Sequence, residues 1–247
     1  MTVDCQSFDH RGHGRSGGRR GDVPTDDAII RDAKIVIDDF AQQIGSPPLL
    51  FGHSMGGLFA ARFATQGCSP ISGLILSSPA LAVPMTTVQS LLFNILKALA
   101  PSLSISNSVK SLWLSHDPAI VAAYDNDPLV HSKINARLLS SMLSAIVFCE
   151  AHAANLRVPT LILVAGDDHV VDNSGSTRFF HKLAAGIGTL HVYPDFYHEV
   201  LNEVDAGRVF DDVRAWLSVS SCGHASKFPY AVSVQDVSGH QSVNMNT

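Results

Sequence analysis

An alternation of two periodicities restricts this 247-residue chain more than any other feature. Short Leu-rich or β-branched runs at 48–51, 73–77, 160–165 and 189–193, with a weaker one at 2–8, end in glycine- or proline-bearing turns. Longer segments between them, such as 58–65 and 172–186, carry helical spacing. Strands that alternate with helices pair in parallel through crossovers, so the predicted class is α/β, a mostly parallel sheet flanked by helices. A 46% hydrophobic and 16% charged composition supplies the core such a sheet needs and excludes a disordered chain.

The alternation stops between 83 and 156. There Val88, Leu91, Leu92, Ile95, Leu96 and Leu99 share one helical face between Pro84 and Pro101, and 134–155 forms a second long helical pattern. This block is predicted to be an inserted helical cap, although helices that simply cover the sheet would show the same apolar faces; the cap reading divides the chain into core 1–82, cap 83–156, core 157–219 and a Ser-, Gly- and Asn-rich flexible tail 220–247. Its most apolar stretch, Leu138 to Cys149, falls short of the roughly 20 residues a membrane span needs, and is predicted to be a buried helix.

A net charge of -5 with no concentrated Lys/Arg stretch argues against a nucleic-acid partner and leaves small molecules. Four widely spaced cysteines indicate neither a zinc site nor a disulfide framework; with no apolar leader near Met1, the cytoplasm is the expected compartment.

The sharpest local signal is Gly52, His53, Ser54, Met55, Gly56, which matches G-x-S-x-G after an apolar strand and before a helical run. A serine hydroxyl is a poor nucleophile unless a tight turn exposes it and a base takes its proton. In a strand-to-helix context the acid and then the histidine follow from loops after later strands. The loop after 160–165 offers Asp167, Asp168 and Asp172, and the loop after 189–193 offers His198. His198 and Glu199 do not begin a zinc motif, because the second histidine of H-E-x-x-H would fall at Asn202. Neither metal nor cofactor is expected.

The segments DHRGHGRSGG (9–18), GHSMGG (52–57), DNDPLVH (125–131), DHVVD (168–172) and YPDFYHEVLNE (193–203), in this order, resemble the monoacylglycerol lipase and lysophospholipase-like α/β hydrolases of the serine aminopeptidase S33 type. The resemblance spans most of residues 4–217. It implies the α/β-hydrolase fold, a triad of Ser54, Asp168 and His198, an acyl-enzyme on Ser54, and an ester of a lipid-like acid as substrate. It also implies a cap over the acyl pocket and a shaping rather than chemical role for Asp9 to Gly18; separately, the Leu-rich face of Val88 to Leu99, flanked by the single cation Lys97, offers transient membrane-surface contact through the cap as a third, weaker reading.

Relatives carry roughly 50 further residues ahead of the segment that here starts at Thr2, including a strand ending in a His-Gly loop. That loop gives one of two oxyanion donors, the other being the N–H after the nucleophile, here Met55. Two expectations follow. The sheet has an empty position between 2–8 and 48–51, and the alternative to an active ester hydrolase is a truncated or non-catalytic hydrolase-like protein.

Overall fold

Every strand of the main sheet is parallel to its neighbours in the computed structural model, which describes residues 4–83, 93, 95, 98–100, 102–106, 109–222 and 230–235. The strands are β1 (Asp4–Asp9), β2 (Leu49–His53), β3 (Gly73–Ser77), β6 (Thr160–Ala165), β7 (Gly188–Tyr193) and β8 (Tyr230–Gln235), in the spatial order β1-β8-β2-β3-β6-β7. A separate antiparallel pair joins β4 (Ser104–Ser106) to β5 (Lys133–Asn135). The helices are α1 (Ala28–Ile44), α2 (Ser54–Gln66), α3 (Pro118–Asn126), α4 (Ala136–His152), α5 (Ser174–Lys182) and α6 (Gly207–Cys222).

The central strands lack polar alternation because both of their faces are covered. Leu74 and Leu76 of β3 and Ile162 and Val164 of β6 enter a core with Ile37 of α1, Phe59 and Phe63 of α2 and Phe179 of α5. Their neighbours Ile75, Leu161 and Leu163 face the opposite side, which Val209, Val213 and Trp216 of α6 close. Fully burying each such Leu or Phe contributes about 1.5–3 kcal/mol.

The second long helical pattern of the expected cap belongs to the core. Leu138, Met142, Ala145 and Cys149 of α4 pack in the same cluster as α1 and α2, and α4 lies against α2. Periodicity reports only that a helix has an apolar face, whereas α2 decides which surface that face meets. Of the other predicted cap face, Val88, Leu91, Leu92 and Leu96 lie outside the described residues, while Ile95 and Leu99 are exposed.

Asn135 starts α4 by accepting a hydrogen bond from the Leu138 N–H at 2.9 Å, and its own N–H donates to the Gly21 carbonyl at 3.0 Å. Two residues on, the Arg137 guanidinium grips the Asp22 carboxylate with both Nε and Nη2, the former at 2.9 Å. Asp22 is buried, whereas Arg137 is 37% exposed. The pair is therefore asymmetric. Arg137→Ala takes the charge partner from a buried carboxylate, leaving it the Asn135 side chain and the Val23 N–H, and is expected to cost roughly 3 kcal/mol, whereas Asp22→Ala leaves a guanidinium that water can reach and costs less. Denaturant midpoints of the two variants check the order.

Two expectations about the sheet change together. The tail 220–247 is not flexible throughout: α6 runs to Cys222, and residues 230–235 form β8. That strand occupies the position expected to be empty, in register from Asp4↔Tyr230 to Asp9↔Gln235 on one side and Leu49↔Ala231 to Gly52↔Val234 on the other. A slot between two strands presents unpaired N–H and C=O groups on both edges, and an extended segment able to reach it satisfies both rows at once.

Candidate active site

The nucleophile elbow is built by the junction of β2 and α2. Ser54 has φ 52°, a left-handed backbone that a non-glycine residue adopts only when its surroundings impose it. Gly52 makes the turn possible, because a Cβ there would lie 2.7 Å from the Gly56 carbonyl oxygen and 2.9 Å from the Ala60 side chain. The turn that follows β3 braces the elbow from the side: the Ala80 N–H donates to the Ser54 carbonyl at 3.0 Å, and Ser78 also has positive φ.

The loops after β6 and β7 bring the other two groups to this serine. His198 Nε2 lies 2.8 Å from Ser54 Oγ, and His198 Nδ1 lies 2.8 Å from Asp168 Oδ2. Asp168 uses its second oxygen, Oδ1, to accept the Val170 and Val171 N–H groups at 2.8 and 3.0 Å, which fixes its rotamer. Burial penalises the Asp168 charge, but the hydrogen bond and charge of His198 and the two backbone donors outweigh it and hold the carboxyl below the usual range. Asp167 points elsewhere, half exposed and beside His169 Nε2 at 3.2 Å. Asp168→Asn is accordingly expected to lower turnover by about 10⁴-fold, since it favours the wrong histidine tautomer, and Asp167→Asn to change it little. Steady-state rates of the two variants, taken side by side, check this ranking.

Met55 stands in the first turn of α2, where a helix leaves N–H groups without intrahelical carbonyls, as an oxyanion donor requires. His53 lies behind the site, with Nδ1 3.0 Å from Ser77 Oγ and its ring 4.9 Å from that of His198. Its Nε2 is sealed from solvent with no hydrogen-bond partner among the described residues. Burial, then the neighbouring His198, push its pKa down from 6.5 to about 3, with Asp168 pulling the other way. Between those two values the unfolded chain binds the proton that the folded chain refuses, so stability falls as pH drops from about 6.5 towards 3. His53→Asn should flatten that slope, which denaturation midpoints at pH 7 and pH 4.5 would measure.

The loop Asp9 to Gly18 holds its histidines away from the serine. His10 is buried edge-on between Phe8 and Phe59, and His13 stacks on His131. Cys149 is equally distant from chemistry, its thiol pushed up to about 12 by burial. What sequence reasoning missed is a strap at 113–117 that runs along the His198 loop, together with the buried Glu203 that it meets. Glu203 lies inside a quoted motif, but nothing in that motif marks it apart from its neighbours, and the strap follows no strand that would signal a site.

A serine in a strained strand-to-helix elbow, with an acid and then a histidine supplied by loops after later strands of a parallel sheet, defines an α/β hydrolase. Comparison with known proteins narrows the class: the family described as "Serine aminopeptidase, S33" matches residues 3–205, and the chain belongs to it. It is 32% identical to the monoacylglycerol lipase of Mycolicibacterium smegmatis over 85% of this chain and 76% of that protein. It is also 32% identical to Phospholipase YtpA of Bacillus subtilis, over 83% and 80% respectively. Among solved structures, the monoacylglycerol lipase of Paleococcus ferrophilus superposes with a TM-score of 0.72 at 32% identity, covering 85% of this chain and 81% of that one. The chain is a serine ester hydrolase of the monoglyceride-lipase-like type.

Proposed function

We propose that the chain hydrolyses esters of a single lipid-like acyl group, of monoacylglycerol or lysophospholipid type, through an acyl-enzyme on Ser54. The observation that carries this is the unbroken chain of hydrogen-bond distances from Ser54 Oγ to His198 Nε2 and from His198 Nδ1 to Asp168 Oδ2, each 2.8 Å. His198 takes the Ser54 proton as the oxygen attacks the ester carbonyl, and the negative oxygen that forms is met by the Met55 N–H. The imidazolium then protonates the departing alcohol. Water, deprotonated by the same histidine, attacks the acyl-serine and releases the acid. Asp168 keeps the proton of neutral His198 on Nδ1 and stabilises the imidazolium.

The part of 83–156 that precedes α4 serves as the cap, and its exposed Ile95, Leu99, Leu103 and Leu112 suit transient contact with a membrane or micelle surface that delivers the substrate. The free thiols Cys5, Cys68 and Cys149 suit a reducing compartment, the cytoplasm. The test is a substrate panel of monoacylglycerols, lysophospholipids, triacylglycerols and an aminoacyl amide. The highest kcat/KM is expected on a monoacyl ester with a medium or long chain; preference for the amide would overturn the assignment.

A further inference from the structure

Glu203 is a buried carboxylate that the mechanism above does not use. Its side chain is 2% exposed, and both of its oxygens are engaged. Oε1 accepts the Tyr197 N–H at 2.8 Å and faces His116 Nδ1 at 2.8 Å, while Oε2 accepts the His116 N–H at 3.2 Å and the Val204 N–H at 3.1 Å. Burying a carboxylate is costly unless several donors meet it, and here three backbone N–H groups and an imidazole do.

Those donors belong to two segments that no sheet or long helix holds. One is the loop from Pro194 to Ala206, which carries His198; the other is the strap at 113–117. Further bonds lace the two together: the Glu199 N–H donates to the Leu114 carbonyl at 2.8 Å, and Ser115 Oγ donates to the Asn202 carbonyl at 2.8 Å. The His116 ring also stacks on Tyr197 with centroids 3.7 Å apart. His198 therefore sits between two fixed backbone points, the Tyr197 N–H tied to Glu203 and the Glu199 N–H tied to the strap. Its ring must meet Ser54 and Asp168 at once, and displacing reacting groups by about 1 Å can cost on the order of 100-fold in rate.

We propose that Glu203 is a positioning residue for His198, clamping the histidine loop to the strap so that the imidazole reaches both of its partners. The inference rests on the proposed role of His198 for its kinetic consequences, but its geometric content does not. Glutamine cannot replace this carboxylate. It has the same shape, but it offers one acceptor oxygen and turns an NH₂ group towards N–H donors, so one half of the clamp must open.

The test uses the 247-residue chain with Glu203→Gln and His116→Ala, the latter removing only the side-chain donor. Three quantities are read: kcat and KM on a p-nitrophenyl ester, the thermal midpoint, and the far-downfield proton signal of the His198 Nδ1–H bonded to Asp168. Glu203→Gln is expected to lower kcat by about 10- to 100-fold with KM within about twofold, to remain folded, and to broaden or lose the downfield signal. His116→Ala should move the same readouts in the same direction by a smaller factor. Parent-like kcat and an intact signal in Glu203→Gln would overturn the proposal, as would a kcat loss that only tracks a loss of folded protein. If the parent neither hydrolyses esters nor labels at Ser54, the functional assignment fails instead, and the downfield signal, read without substrate, still decides the role of Glu203.

Discussion

Ser54→Ala is expected to lower turnover of a monoacyl ester by about a millionfold, and His198→Ala to lower it by a similar factor. Ser54→Ala should leave the fold intact, because it removes only one hydroxyl from a buried hydrogen bond, whereas His198→Ala also takes the charge partner from the buried Asp168 carboxylate and is expected to lower stability while Asp168 keeps its two backbone donors. Losses of this size arise because a serine without its base, or a base without its serine, has no covalent route, and only the oxyanion donor and substrate binding remain. For the same reason the two substitutions cannot add: Ser54→Ala with His198→Ala should be no slower than either alone. Steady-state kinetics on the three variants measures this. Residual activity of a few per cent in Ser54→Ala would point to another nucleophile.

The second large effect concerns stability. Deleting residues 223–247 from the 247-residue chain removes β8 and leaves the edges of β1 and β2 facing each other across one strand width. The register lost runs the whole length of β1 and from Leu49 to Gly52 of β2. Each buried N–H or C=O stripped of its partner costs about 1–3 kcal/mol, against a total stability of about 5–15 kcal/mol, so a handful of them exceeds the whole. The deleted chain is expected to lose cooperative unfolding and to aggregate through the opened edges. Chemical denaturation and size-exclusion chromatography of the two chains check it. Equal midpoints would show that β8 does not hold the sheet together.

The strands at 73–77 and 160–165 appear with the predicted boundaries, because a parallel strand covered on both faces leaves an uninterrupted apolar run. That Ser54, Asp168 and His198 meet is legible because a motif singles out the first, and the order of strand-end loops, together with a family pattern, singles out the others. β8 escapes the reading, although Tyr230, Val232 and Val234 alternate with Ala231, Ser233 and Gln235: the six residues stand in a Ser- and Gly-rich stretch, and their place in the sheet is set by the gap between β1 and β2, a fact about tertiary structure. Helix α4 shows the converse: its apolar face was plain, but its destination was set by α2. Glu203 and the strap at 113–117 depend on a meeting of segments 87 residues apart, which no local pattern encodes.

Covalent labelling tests most directly whether Ser54, activated by His198, is the nucleophile. A fluorophosphonate probe reacts covalently with such a serine, and mass spectrometry of the digested protein locates the adduct. One adduct is expected, on the peptide that contains Ser54, absent in Ser54→Ala and formed far more slowly in His198→Ala. An adduct on any other serine, or none on the folded chain, would contradict it.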